Sequence, residues 1–98
     1  MVEYEVTINV QEEIFDAYMI WLKDHIKEML TIEGFSDAKY YNVDVANEKI
    51  VCVRYFVESK ELLQKYLDET SKKMRKSYKN EFENKFSISR RILNEGDI

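Results

Sequence analysis

The chain has no proline, only two glycines (Gly34 and Gly96), and one residue each of cysteine, histidine and tryptophan in 98 positions. Each shortage excludes something. With no proline and no glycine-rich stretch there is no linker, repeat or low-complexity segment, and residues 1–98 read as a single domain. Cys52 stands alone, so no internal disulfide can form and it reads as a reduced or buried thiol. Structural zinc takes about four Cys or His ligands, whereas Cys52 and His25 are the whole supply; no metal site is expected. A glycine-rich phosphate loop has nothing to be built from. No apolar run approaches the roughly 20 residues that cross a bilayer. The opening Met1-Val2-Glu3-Tyr4-Glu5 is acidic where a secretory signal would be basic and then apolar. The expectation is a cytoplasmic protein with no membrane partner. A net charge of -4 also weighs against nucleic acid, whose binding depends on neutralising phosphates with Lys and Arg.

What is present points to a folded domain. Hydrophobic residues make up 45% of the chain, with seven Tyr and five Phe, which is too apolar and aromatic for disorder. The run Val2 to Val10 alternates without a fault, with Tyr4, Val6, Ile8 and Val10 on one face and Glu3, Glu5, Thr7 and Asn9 on the other. Residues Glu12 to about Leu30 take the helical period. Ile14, Tyr18, Trp21, Leu22, His25 and Met29 share a stripe, and acidic residues fill the opening turns. Gly34 ends that region, and Phe35 to Val45 reads as a second strand with imperfect alternation. Ala46-Asn47-Glu48-Lys49 turns the chain into Ile50 to Val57, apolar on nearly both faces, which predicts a central strand. Ser59 is positioned to cap a second helix carrying Leu62, Leu63, Tyr66, Leu67 and Met74. Its inward stripe weakens after Thr70, where Lys73 and Ser77 fall on the side of Tyr66, so the last turns, to about Asn80, are expected to overhang the sheet. Phe86 to Leu93 closes the sheet as a fourth strand.

This order, β-α-β-β-α-β, predicts an α+β ferredoxin-like sandwich: a four-stranded antiparallel sheet with two helices on one face. The covered face should hold Tyr4, Val6, Ile8 and Val10 with Val51, Val53, Tyr55 and Val57. The other face mixes Ile50 and Phe56 with charges. It is too apolar for free solvent, and a second copy stacked sheet to sheet would cover it, with Glu3 or Glu5 of one copy meeting Arg54 or Arg91 of the other. A monomer with one wet sheet face is the alternative.

Several segments together carry a resemblance: Tyr4-Glu5-Val6-Thr7-Ile8-Asn9-Val10, Trp21-Leu22 with His25-Ile26, Phe35 with Ala38, Ser59 to Tyr66, and Phe86 to Ile92. They resemble a family of short bacterial proteins classed as a domain of unknown function, over almost the whole chain. Such proteins are similar to the dimeric α+β barrels, the ferredoxin-like group that includes antibiotic-biosynthesis and haem-degrading monooxygenases. The resemblance implies a homodimer and supplies no activity. Where the family pattern often has Pro after His-Ile, this chain has Lys27. Haem-degrading members use an Asn, a Trp and a His around the cofactor. Asn9 lies on a suitable strand, but Trp21 and His25 share one helix, and no cofactor is expected.

Trp21 and His25 are the pair that invites chemistry. At i and i+4 they lie on one helical face, and a desolvated imidazole loses affinity for its proton. Such a ring could accept a proton or grip a carboxylate. The plainer reading is a packing histidine satisfied by a strand backbone or a Tyr hydroxyl. No Ser sits in a nucleophile turn with a base and an orienting acid. The run Lys72-Lys73-Met74-Arg75-Lys76 with Lys79 reads as a solvated helix end. Tyr55 and Phe56 on the third strand lack the Gly and basic residues of an RNA-recognition motif. Two readings remain. The favoured one is a homodimeric binding or interaction module whose cleft between helices and sheet takes either a small apolar or aromatic ligand or nothing, with Trp21, His25, Tyr40, Tyr41, Arg54 and Glu5 as ligand-binding candidates. The other is a cofactor-light enzyme of monooxygenase or isomerase type. There His25 would be the base, Tyr40 or Tyr41 a hydroxyl partner, and Arg54 or Glu5 would orient a polar group.

Overall fold

A computed structural model describes residues 1–98. Four strands, β1 (Val2–Val10), β2 (Phe35–Val43), β3 (Lys49–Val57) and β4 (Phe86–Asn94), form one antiparallel sheet in the order β2-β3-β1-β4. Helices α1 (Phe15–Met29) and α2 (Lys60–Glu69) cover one face, and a short helix α3 (Ser71–Arg75) follows α2 directly. The architecture is the expected ferredoxin-like α+β sandwich.

Alternation places the core. Tyr4, Ile8 and Val10 of β1 and Val51, Val53, Tyr55 and Val57 of β3 are buried beneath the helices. They meet Tyr18, Leu22 and Met29 of α1 and Leu63 and Tyr66 of α2. The two central strands are held on both sides, β1 by β3 and β4, β3 by β1 and β2.

Local chemistry sets the element ends. One 3-10 turn, Glu12–Ile14, precedes α1, so the helix proper starts three residues later than the periodicity implies. The Ser59 side chain caps α2 by accepting from the Leu62 amide at 3.2 Å. Gly34 sits at φ +90°, and a Cβ there would lie 2.7 Å from Cδ1 and 2.8 Å from Cβ of Leu62. Only glycine fits the turn into β2. A bulge between Phe35 and Asp37 interrupts the pairing of β2 with β3 and accounts for its imperfect alternation.

The end of the second helix differs from the expected overhang. The helix breaks at Thr70, where Ser71 Oγ donates to the Leu67 carbonyl at 2.7 Å, a back-bond that bends helices. Met74 stays inward as expected, and the chain then buries Phe82 on a second 3-10 turn, Asn80–Phe82. Phe82 packs against Tyr18 of α1, ring centroids 5.4 Å apart. Residues 71–82 therefore fold back over the core.

Candidate functional site

A cavity of about 50 Å3 lies between the helices and the sheet. That is room for about two to four water-sized groups. Most of its wall is apolar, and its polar groups are the rings of Trp21 and His25 from α1, the phenols of Tyr4, Tyr18, Tyr55, Tyr66 and Tyr78, and the side chains of Arg75 and Arg90.

His25 is held on two sides. Its ring stacks on Trp21, centroids 4.7 Å apart and planes 18° from parallel. Its Nδ1 lies 3.3 Å from Ser77 Oγ. That hydroxyl gives its own proton to the Met74 carbonyl at 2.7 Å, so Nδ1–H must be the donor to Ser77. The hydrogen-bond arrangement thus assigns the proton to Nδ1 and leaves Nε2 with a lone pair. Trp21 Nε1 donates to the Ser77 carbonyl at 3.2 Å, so both rings end on one residue. Burial lowers the pKa of His25, with Glu28 opposing weakly, and the imidazole is neutral at pH 7.

The phenols share this space. The Tyr4 hydroxyl is buried and has no hydrogen-bond partner, an arrangement that calls for an explanation in a native structure. Burial raises the pKa of Tyr18 well above its ordinary value. Burial does the same for Tyr55, reinforced by Tyr66, Tyr4 and Tyr18. Tyr66 is pushed up to about 12 by burial and by Tyr4, against the opposing charges of Arg75 and Arg90. These three phenols keep their protons and remain donors at neutral pH.

The six candidate residues do not form one site. Trp21 and His25 meet in the cleft. Tyr40 pairs with Val53 and so points to the helix side, but it lies on edge strand β2, 40% exposed and outside the cavity wall. Tyr41 pairs with Cys52 on the opposite face. Glu5 and Arg54 also lie there, because side chains alternate along a strand. With the sheet between them and His25, neither Tyr41 nor Arg54 nor Glu5 can partner the imidazole.

Glu5 instead centres an ion cluster on the open face. It lies directly across from Arg54 of β3 and Arg91 of β4. Arg91 Nε donates to Glu5 Oε1 at 2.8 Å, and a second nitrogen of the same guanidinium reaches that oxygen. Arg54 Nη2 lies 3.2 Å from Oε2, and its Nη1 lies 3.7 Å from Glu3. Burial pushes the Glu5 carboxyl upward, yet the bonds and charge of Arg91, then the charge of Arg54, outweigh it and hold its pKa low. The Glu–Arg pairing expected between copies is therefore made within one chain, because the antiparallel register sets the three side chains in a row.

The residues that sequence reasoning missed are Tyr4 as an unpartnered phenol, Ser77 as the anchor of both rings, and Arg75 and Arg90. Ser77 did leave a signal, since it falls on the inward side with Tyr66. A second, open groove of about 1030 Å3 borders the β2–β3 hairpin. Its wall is largely polar, and none of the six candidates lines it.

No curated protein matches the chain in sequence. Solved structures match its fold. The heme-degrader MhuD from Mycobacterium tuberculosis, determined with two hemes bound in its active site, aligns with TM-score 0.71 and 15% identity, over 98% of this chain and all (100%) of that one. A protein of Arabidopsis thaliana aligns with TM-score 0.73 and 9% identity, over 100% and 98% of the two chains. SnoaB, a cofactor-independent oxygenase from Streptomyces nogalater, aligns with TM-score 0.70 and 5% identity, over 99% and 95%. The family model described as Domain of unknown function (DUF4286) matches residues 1–96, and the chain belongs to that family.

Proposed function

We propose that this protein is a homodimeric binding module whose ligand site is the cleft between the helices and the sheet. The observation that carries the reading is the buried Tyr4 hydroxyl, unpartnered in the chain, at a mainly apolar cavity that the neutral His25 ring also lines. Few convergent polar groups in an apolar concavity are the usual build of a small-molecule site. The size of the cavity favours a compact apolar ligand. A cavity of about 150 Å3 takes a benzene ring, three times the space here, so an aromatic ligand would need the wall to move.

A heme, which MhuD holds, does not fit these residues. Pockets for ligands of drug size run to about 300–1,000 Å3, whereas the cavity here is about 50 Å3. No step of the function is assigned to that cofactor.

The partner is a second copy across the open sheet face. Tyr41 at 50% and Val43 at 38% exposure share that face with half-buried Ile50, Phe56 and Leu93.

A second reading is favoured by the same imidazole. Neutral, and with Nε2 free, His25 could take a proton from a bound molecule, as an enzyme of oxygenase or isomerase type requires.

Native mass spectrometry of the freshly purified protein tests the proposal. A dimer carrying an added small mass supports it, and a ligand-free monomer overturns it. If the added molecule is returned unchanged after incubation, the binding reading stands; conversion that His25→Gln abolishes while binding persists replaces it with the enzyme reading.

A further inference from the structure

The proposed cleft ligand has a chemical signature beyond its size. Two arginines line the same cavity from different elements: Arg75 ends α3, and Arg90 lies on β4 opposite Val6, on the helix side of the sheet. Both are exposed. Neither belongs to any of the chain's ion pairs, which involve Arg54, Arg91 and three lysines. The contrast with the open face is informative, since Arg54 and Arg91 there are taken up by Glu5. Arg75 and Arg90 therefore bring positive charge to an apolar chamber that contains no carboxylate of its own among its wall residues. Inside, the phenols and the Nδ1-protonated imidazole add hydrogen-bonding groups without adding negative charge.

We infer that the ligand of this cleft is a short-chain carboxylate, its tail of two or three carbons in the cavity and its carboxylate held by Arg75 and Arg90. This rests on the reading of the cleft as a ligand site. Guanidinium groups suit a carboxylate because their donors match its two oxygens. The buried Tyr4 hydroxyl is unpartnered in the chain, and Tyr4 lines the same cavity.

Trp21 is the sole tryptophan and lines the cavity, so its emission reports occupancy directly. The test titrates the full chain with butyrate and with butyramide, its neutral counterpart of the same shape, at constant ionic strength. Trp21 emission and backbone amide shifts are followed together. Butyrate is expected to bind about tenfold more tightly than butyramide, the scale of one charge-assisted hydrogen bond. The double variant Arg75→Gln with Arg90→Gln should erase that preference while leaving butyramide binding in place, and the pair Arg75→Lys with Arg90→Lys should keep part of it. Retained butyramide binding shows that the variant is folded. Equal binding of the two molecules, or a preference that survives the Gln variant, overturns the inference and leaves the cleft reading standing. If neither molecule moves Trp21 emission or the amides of the cavity wall, the cleft reading falls and the inference falls with it.

Discussion

Glu5→Gln removes one charge from the middle of the sheet and little else. In the native chain this carboxylate is 2% exposed, accepts twice from Arg91 and lies 3.2 Å from Arg54. Stranding one member of a buried ion pair costs about 3–5 kcal/mol. Here both survivors can turn to water, since the side chains of Arg54 and Arg91 are 40% and 66% exposed. What remains is the loss of charge-assisted bonds, about 1.5–3 kcal/mol, together with an amide NH2 turned toward a guanidinium. We expect a loss of about 2–3 kcal/mol at pH 7, the upper part of that range. For a domain of this length that lowers the melting temperature by about 10–20 °C. The pH dependence is the sharper check. The folded-state pKa of Glu5 lies below its unfolded value, so its contribution is complete above the unfolded pKa, about 4.3, and disappears as pH falls through the folded pKa. Urea unfolding of both proteins at pH 7 and at pH 3 measures this. A stability gap that does not narrow at pH 3, or a variant as stable as the parent at pH 7, refutes the reasoning.

Three further outcomes follow from the same geometry. For His25, burial lowers the folded pKa below the ordinary 6.5, so the unfolded chain binds the proton first and stability contributed by the neutral ring falls as pH drops from 6.5 toward the folded pKa. A Trp21 emission titration should show a midpoint below 6.5, and one at or above it counts against a buried ring. Gly34→Ala forces a Cβ to within 2.7 Å of Leu62 at φ +90° and should destabilise by about 2–4 kcal/mol in thermal melts, whereas Gly96→Ala, with nothing within 4 Å, should be silent. Phe82→Ala should lose about 3–5 kcal/mol, as for any well-buried Phe, if residues 71–82 close the core; a loss under about 1 kcal/mol, the scale of a surface change, would restore the overhang.

The fold was legible because its signals were local and consistent. The faultless alternation of Tyr4, Val6, Ile8 and Val10 required a one-sided strand, and the doubly apolar run from Ile50 to Val57 required a central one. The site was only half legible. Trp21 and His25 share a helix, so their meeting follows from spacing alone. Alternation along β1 and β3 already sets Glu5 and Arg54 on the face away from the helices, so grouping them with His25 ran against it, while Tyr41 on the irregular β2 takes its side from a register the sequence does not show. Glu5 and Arg91 were recognised as complementary, but a partner 86 positions away across an antiparallel ladder cannot be told from one in another molecule without the pairing. The bend at Thr70 hid the rest. A straight helix would carry Lys73 and Ser77 out past the core, and the Ser71 back-bond that redirects the chain is a side-chain event that periodicity does not encode.

Ser77 joins two parts of the molecule at a single point: its hydroxyl receives the His25 proton and its carbonyl receives that of Trp21. Any outward swing of the chain between α3 and β4 must release both rings in the same event. Access to the chamber, the tautomer of the imidazole and the colour of the indole emission are thus mechanically coupled. A displacement of that segment would therefore register in Trp21 emission with no label attached.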